Sequence, residues 1–397
     1  MITISGLGCS LMDYLYADID FSAPDFTRYR SRKPGDGGLV PGNLVFLDDF
    51  ERFAGCAFSG LRDKLTGGRE CDAANLGGPS VVALINAAQL LAGTGCRVRY
   101  FGGRGDDAGG GAIMRILSNT DVDASAYRIV PGTTPFTNVF SDPRHDGGHG
   151  ERTFINNIGA AGNYGPADVG SDFFDADIAA FGGTALVPRI HDSLGLLLRR
   201  ARERAAITVV NTVYDFRSQA RDPEGRWSLG EDETTYRYID LLVADREEAL
   251  RLSGTGTTAA AAGWFRAHGT GAAIITEGAR NITLYSDGTL FGKLDSRTLP
   301  VSDAVRVEVE ASADRRGDTT GCGDNFAGGV LASLALQLDS NGKRGSLDLV
   351  EACSWAVASG GFCCFYYGGT FHEQFPGQKR ALVENYYNLY RKQIGEI

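Results

Sequence analysis

Gly317-Asp318-Thr319-Thr320-Gly321-Cys322-Gly323-Asp324-Asn325-Phe326-Ala327-Gly328-Gly329 is the most informative stretch of the chain. A turn of small residues runs straight into an apolar helix. Gly321 and Gly323 allow backbone conformations that a Cβ would hinder. Successive N–H groups in such a turn converge on an anion, and the helix behind them adds partial positive charge. Asp324 falls in the first turn of that helix and faces the same point. A carboxylate beside an anion hole suits phosphoryl transfer to an alcohol. The hole steadies charge on the moving phosphoryl group, and the carboxylate takes the proton of the attacking hydroxyl. Read alone, the motif has a second meaning, because Asp is also a common helix-capping residue.

Working outward, residues 2–5 form a strand candidate ending in Gly6-Leu7-Gly8. Residues 18–69 carry Gly and Pro clusters and short apolar pieces with no long helical period. They predict strands and loops of a small appended element. Regular alternation begins near Gly77, with a helix over 81–91, a strand over 98–101 and a helix over 108–117. A second strand-rich piece follows at 127–130, 137–140 and 153–156. Strands are then expected at 178–181, 207–210, 241–243, 273–275 and 283–285. Helices are expected at 194–205, 247–252, 258–268, 325–338, 347–363 and 379–392. Strands alternating with helices imply a largely parallel sheet covered on both faces.

The 397 residues carry 39 basic and 49 acidic side chains, a net charge of −10, which speaks against a non-specific nucleic-acid binder. It leaves room for a nucleotide ligand, which a few amides and one cation hold locally. No apolar run approaches the roughly 20 residues that span a bilayer, and the first residues lack the pattern of a secretory signal. The eight cysteines show no CxxC pair and no regular spacing, so they read as reduced residues of a cytoplasmic protein. The five histidines form no metal-binding pattern.

With the rest of the chain in view, residues 318–324 resemble the Asp-Thr-x-Gly-Ala-Gly-Asp motif of the PfkB, or ribokinase-like, carbohydrate kinases, with Cys322 in place of Ala. The resemblance extends over most of the chain. Residues 6–13 resemble the family's first strand and its substrate-binding Asp, here Asp13. Residues 101–109 resemble its Gly-x-x-Gly-Asp-Asp-x-x-Gly segment, in which Asp106 and Asp107 mark a structural turn before a helix. Residues 150–155, followed by Gly159-Ala160, resemble a lid strand returning to the sheet. Asp245-Arg246-Glu247-Glu248 matches Asn-x-x-Glu, and Thr276-Glu277-Gly278 matches Thr-x-Gly.

The resemblance implies a role for each matched residue. Asp324 is the catalytic base, and Gly321, Cys322 and Gly323 supply the anion hole. Asp13, Gly77 and Gly78 touch the acceptor. Asp245, Thr276, Gly278 and Thr320 lie at ATP. Glu248 acts through water on Mg²⁺, which offsets charge on the triphosphate. Asp318 and Thr320 offer oxygens to a monovalent cation such as K⁺. The implied fold is a three-layer α/β/α domain with a small β-sheet lid. Residues 1–13, 76–126 and 161–397 form the kinase domain, and residues 14–75 and 127–160 form the lid. An open lid edge favours a homodimer through the lid.

Four departures qualify the picture. Val82 stands where the family places a substrate-binding Asn, and Asn86 lies one helical turn later, as a stand-in or as a buried amide satisfied by backbone. Asp245 replaces Asn and adds a carboxylate near phosphates. Asp13 and Gly77 stand far apart, so the first lid segment is enlarged. Residues 365–369 lack the family's Arg-x-Gly, which leaves potassium dependence open. Cys322 is read as filling the Ala position and offering only its backbone N–H.

The expected activity is ATP-dependent phosphorylation of a small sugar-like molecule. A nucleoside acceptor is the nearest alternative, since Phe136, Phe154 and Tyr164 are candidates to stack a base; the same rings also read as lid core. A non-catalytic nucleotide- or sugar-binding relative is the second alternative. A nicotinamide oxidoreductase is a poor fit, because Leu11 stands where a dinucleotide fingerprint needs its third glycine.

Overall fold

Apolar runs such as Ile207–Asn211 and Leu241–Asp245 become strands buried on both faces, as a parallel sheet between two helix layers requires. The computed structural model describes residues 1–33, 35–148, 150–311, 317, 319–340 and 344–396. In chain order the strands are β1 (Thr3–Gly8), β2 (Leu11–Tyr16), β3 (Leu44–Phe46), β4 (Ala73–Gly77), β5 (Arg97–Arg104), β6 (Val122–Ile129) and β7 (Phe136–Asp142). They continue with β8 (Glu151–Asn157), β9 (Ile178–Gly182), β10 (Ile207–Asn211), β11 (Leu241–Asp245), β12 (Ala272–Thr276), β13 (Asn281–Ser286) and β14 (Leu294–Pro300).

Nine strands form the large sheet, in the order β14-β13-β12-β11-β10-β9-β1-β5-β6. Pairing is parallel from β12 to β6, and β13 and β14 join antiparallel at one edge. Side chains alternate between two cores. Leu241 and Val243 enter one, with helices Pro79–Leu90, Cys322–Asp339 and Leu349–Phe362. Leu242 and Ala244 enter the other, with helices Leu194–Glu203, Arg246–Ser253 and Thr258–Ala267.

The small sheet has the order β3-β8-β7-β2-β4. The segment between β2 and β4 departs from expectation. Its described residues contain one strand and three helices, Pro24–Thr27, Leu47–Ala54 and Phe58–Thr66. The longer two span only eight and nine residues and stop at left-handed glycines, Gly55 (φ 73°) and Gly67 (φ 64°). Helices this short show no sustained period in sequence, and packing stabilises them. Phe50, Phe58, Leu61 and Leu65 join Tyr16, Phe21, Phe26, Phe140 and Ile155 in a separate core on the small sheet. The enlarged segment thus carries its own apolar filling.

Residues 127–130 also differ from the reading that put them with the lid strands. Residues 127–129 end β6, at the edge of the large sheet, where Tyr127 packs on Tyr100 with ring centroids 5.1 Å apart. The Tyr127 hydroxyl accepts from Ser10 Oγ at 2.7 Å, tying this edge to the β1–β2 link.

Candidate active site

The carboxyl ends of the parallel strands gather the predicted residues along one edge. Gly8 is in register with Gly182, Gly182 with Asn211, and Asp245 with Thr276. Open α/β sheets bind ligands beyond this edge. Asp13 follows β1 on the small sheet, opposite Asn75 of β4 and Thr137 of β7. Gly77 and Gly78 are needed for close approach. A Cβ on Gly77 would collide with the Asp13 carboxylate, and one on Gly78, where φ is 109°, would collide with the Cys9 carbonyl.

Gly321 is the N-cap of helix Cys322–Asp339, with φ 79° and no side-chain cap. A Cβ there would collide with Gly369, so glycine is demanded by both backbone and space. Asp324 is the third residue of the helix. The Cys322 amide donates to the Thr319 carbonyl at 3.3 Å, and the amides after it in the first turn lack intrahelical acceptors. Burial pushes the Asp324 carboxyl up to about 6. The charges of Asp13 and Asp324 both reach the buried thiol of Cys9, which burial and these two carboxylates push up to about 12. The two acids therefore share one region between the sheets.

Cys322 keeps its thiol protonated. Hydrogen bonding to the neighbouring Cys363 and Cys364 thiols, together with burial, raises its pKa well above the ordinary value. Its Sγ lies 3.6 Å from Cys364 Sγ, and no disulfide joins any of the eight cysteines. A neutral thiol is a poor nucleophile.

Asp245 and Glu248 form a capping box at the start of helix Arg246–Ser253. Asp245 Oδ1 accepts from the Glu248 amide at 2.8 Å, and Glu248 Oε2 accepts from the Asp245 amide at 3.1 Å. Thr212 Oγ1 donates to the same Glu248 oxygen at 2.5 Å. Burial and the Asp245 charge push Glu248 up to about 8, and burial raises Asp245 as well. Two carboxylates that repel each other at a strand-end edge are a suitable setting for Mg²⁺. No group of three or more His, Cys, Asp or Glu among the described residues is arranged to hold a metal directly. The residues therefore fit a metal bound chiefly through phosphates and water, with Glu248 behind the water.

Thr276 ends β12 beside Asp245, and Gly278 follows in the exposed turn with φ 56°. Asp318 lies outside the described residues. Asp107 caps helix Ala108–Leu117 and also accepts from Thr134, the structural role expected of it.

Two expected contributors belong elsewhere. Asn86 is 1% exposed, and its Nδ2 donates to the Asn325 carbonyl at 2.7 Å, pinning one core helix to another. Its Nδ2 is thus committed to helix packing, while its Oδ1 is buried with no hydrogen-bond partner among the described residues. Tyr164 is 1% exposed in the core of the large sheet, so no base can stack on it. Phe136 and Phe154 are partly exposed on the small sheet, and Phe136 lies 6.1 Å from Tyr14.

The structure adds residues that motif reading passed over. Arg152 of β8 donates from Nη1 to Thr320 Oγ1 at 2.9 Å, joining the small sheet to the anion-binding turn. Asn75 faces Asp13 across the β2–β4 pair. Asn211 ends β10 and is 7% exposed. A polar residue closing an apolar strand is a signal the sequence does carry.

The profile of the pfkB family carbohydrate kinases matches residues 83–374, and the chain belongs to that family. Its fold is the ribokinase-like one, with a large, mostly parallel sheet and a smaller second sheet. Adenosine kinase from Schistosoma mansoni in complex with 2-fluoroadenosine superposes with a TM-score of 0.68 at 16% identity, covering 94% of this chain and 97% of that one. Adenosine kinase from Sinorhizobium meliloti gives 0.65 at 19%, covering 96% and 98%. A probable sugar kinase from Rhizobium etli gives 0.63 at 18%, covering 100% and 99%. At these identities the likeness establishes the fold alone. No curated protein matches the chain in sequence.

Proposed function

We propose that the chain transfers the γ-phosphoryl group of ATP to a hydroxyl of a small sugar or sugar-like molecule. The observation that carries this reading is Asp324, set in the first turn of an uncapped helix and held near pKa 6 by burial. Ionised near neutral pH, it takes the proton of the attacking hydroxyl, while the amides of Gly321, Cys322 and Gly323 receive the phosphoryl oxygens. Asp13 orients the acceptor through its hydroxyls, with Gly77 and Gly78 leaving it room. ATP lies along Asp245, Thr276, Gly278 and Thr320. Mg²⁺, when bound, offsets the charge of the triphosphate, and Glu248 orders its water.

In this reading residues 14–75 together with β7 and β8 act as a lid over the large-sheet domain, and the lid excludes water as a competing acceptor. A nucleoside acceptor is the second reading. It is favoured by Phe154, which is partly exposed on the face of the small sheet that carries Asp13, Thr137 and Asn156. A non-catalytic relative is not favoured, since Asp324 keeps partial access at the helix start. Potassium enters as an assay condition, because Thr320 already receives Arg152. A homodimer through the lid would use the edge strands β3 and β4, since helices pack on one face of that sheet. No helix among the described residues is long and apolar enough to cross a membrane; a cytoplasmic location is proposed from eight cysteines that form no disulfide.

The test is ADP release with Mg·ATP across hexoses, pentoses, sugar phosphates and nucleosides, with and without K⁺. Stimulation by a sugar supports the first reading and stimulation by a nucleoside the second. Bound ATP with no turnover on any acceptor contradicts both.

A further inference from the structure

Lys379, the second residue of helix Gln378–Gln393, is 1% exposed. A lysine is almost never this deeply buried without a partner that uses its charge. Its Nζ donates to Asn325 Oδ1 at 2.5 Å and to the Tyr366 hydroxyl at 3.2 Å, and the Tyr366 hydroxyl donates to the same Asn325 oxygen at 3.1 Å. Nζ also lies 5.5 Å from the Tyr366 ring centroid and 5.9 Å from that of Phe371.

Asn325 follows Asp324 in the chain. Its Nδ2 donates to the carbonyls of Gly321 and Gly369, both at 2.8 Å. With its oxygen facing Lys379 and its nitrogen facing the two carbonyls, the orientation of the Asn325 amide is determined. The ammonium therefore fixes the side chain that clamps the N-cap of the Asp324 helix to residues 363–371.

We propose that Lys379 is a positioning residue for phosphoryl transfer, acting through Asn325 to hold the turn of Gly321, Cys322 and Gly323 in its anion-binding shape. This rests on the reading of Asp324 as base and of that turn as the anion hole. Burial lowers the Lys379 pKa to about 7, while Cys363 and Glu373 oppose that shift. Glu373 Oε1 accepts from the Lys379 backbone amide at 2.8 Å. The amino group donates to Asn325 Oδ1 whether or not it carries its charge, so the clamp rests on this contact. A turn displaced by even a fraction of an ångström loses transition-state stabilisation while ground-state binding persists.

The experiment uses the full chain with Lys379→Met, Tyr366→Phe, Asn325→Ala and the Lys379→Met/Asn325→Ala pair, alongside Asp324→Asn. Lys379→Met should lower kcat at least about tenfold while moving KM for ATP and acceptor less than about threefold. The paired variant should be no slower than Asn325→Ala alone, because both substitutions break one chain of contacts. Tyr366→Phe keeps the buried charge and should lower kcat about threefold, which tests the idea if Lys379→Met does not fold. Independently of any acceptor, Tyr366→Phe and Lys379→Met should weaken binding of ADP with aluminium fluoride but not of ADP alone. Unchanged kcat and unchanged aluminium fluoride binding in both would overturn the proposal, as would effects of Lys379→Met and Asn325→Ala that simply multiply. If Asp324→Asn keeps its rate, the base assignment has failed instead.

Discussion

The guanidinium of Arg152, on β8 of the small sheet, donates to the Thr320 hydroxyl at 2.9 Å, one residue before the N-cap Gly321. The small sheet is thus tied to the anion-binding turn itself. A positive charge at this point also suits the negative charge of a triphosphate.

Arg152→Ala should therefore affect both lid docking and the phosphates. Steady-state kinetics should show kcat/KM falling by about 10- to 100-fold, on the scale of a lost charge-assisted contact. Arg152→Lys should restore little, since a lysine lacks the planar fork.

The pH dependence follows from Asp324. Its pKa is raised in the folded protein from 3.8 to about 6, so the fold favours the protonated form. Stability from this group is greatest below the unfolded value and is lost as pH rises through about 6. Activity runs the other way, because a base must be ionised. The kcat/KM profile should drop as pH falls below about 6. Asp324→Asn should be more stable to unfolding than the parent at pH 8, by about 1–2 kcal/mol, since partial hydration dilutes the burial penalty. That advantage should shrink below pH 6.

Glu248 has the same sign at a higher pH. Its pKa near 8 means that the capping box tolerates a protonated carboxyl. Glu248→Gln should match the melting temperature of the parent only near pH 4.5 and below. As pH rises from about 4.5 to about 8 the parent should lose stability that the variant keeps. In kinetics the variant should need several-fold more Mg²⁺ for half-maximal rate.

Asn86 separates packing from binding. Asn86→Ala removes its bond to the Asn325 carbonyl in a buried helix contact. Unfolding by denaturant should show a loss of about 1–3 kcal/mol. The KM for the acceptor should stay within about threefold of the parent, whereas Asp13→Ala should raise it far more.

What the sequence displays and what it hides follow from the range of each interaction. Strands such as Ile207–Asn211 and Ala272–Thr276 announce themselves as short apolar runs because both faces are buried. The turn before Asp324 is readable because its glycines, helix start and carboxylate are contiguous. Helices Leu47–Ala54 and Phe58–Thr66 are hidden because each makes barely two turns and depends on a shared core. Asn86 reads as either ligand or buried amide until its partner, 239 residues away, is known. Arg152 and Lys379 carry no local signal, for their partners Thr320 and Asn325 are 168 and 54 residues distant.

The most direct measurement of the central claim is single-turnover phosphoryl transfer by Asp324→Asn beside the parent, on the acceptor that stimulates ADP release. Losing the base while keeping the anion hole should cut the rate by about 10²–10⁴, with ATP affinity and the circular dichroism spectrum unchanged. A variant that transfers phosphate at the parent rate would contradict the account.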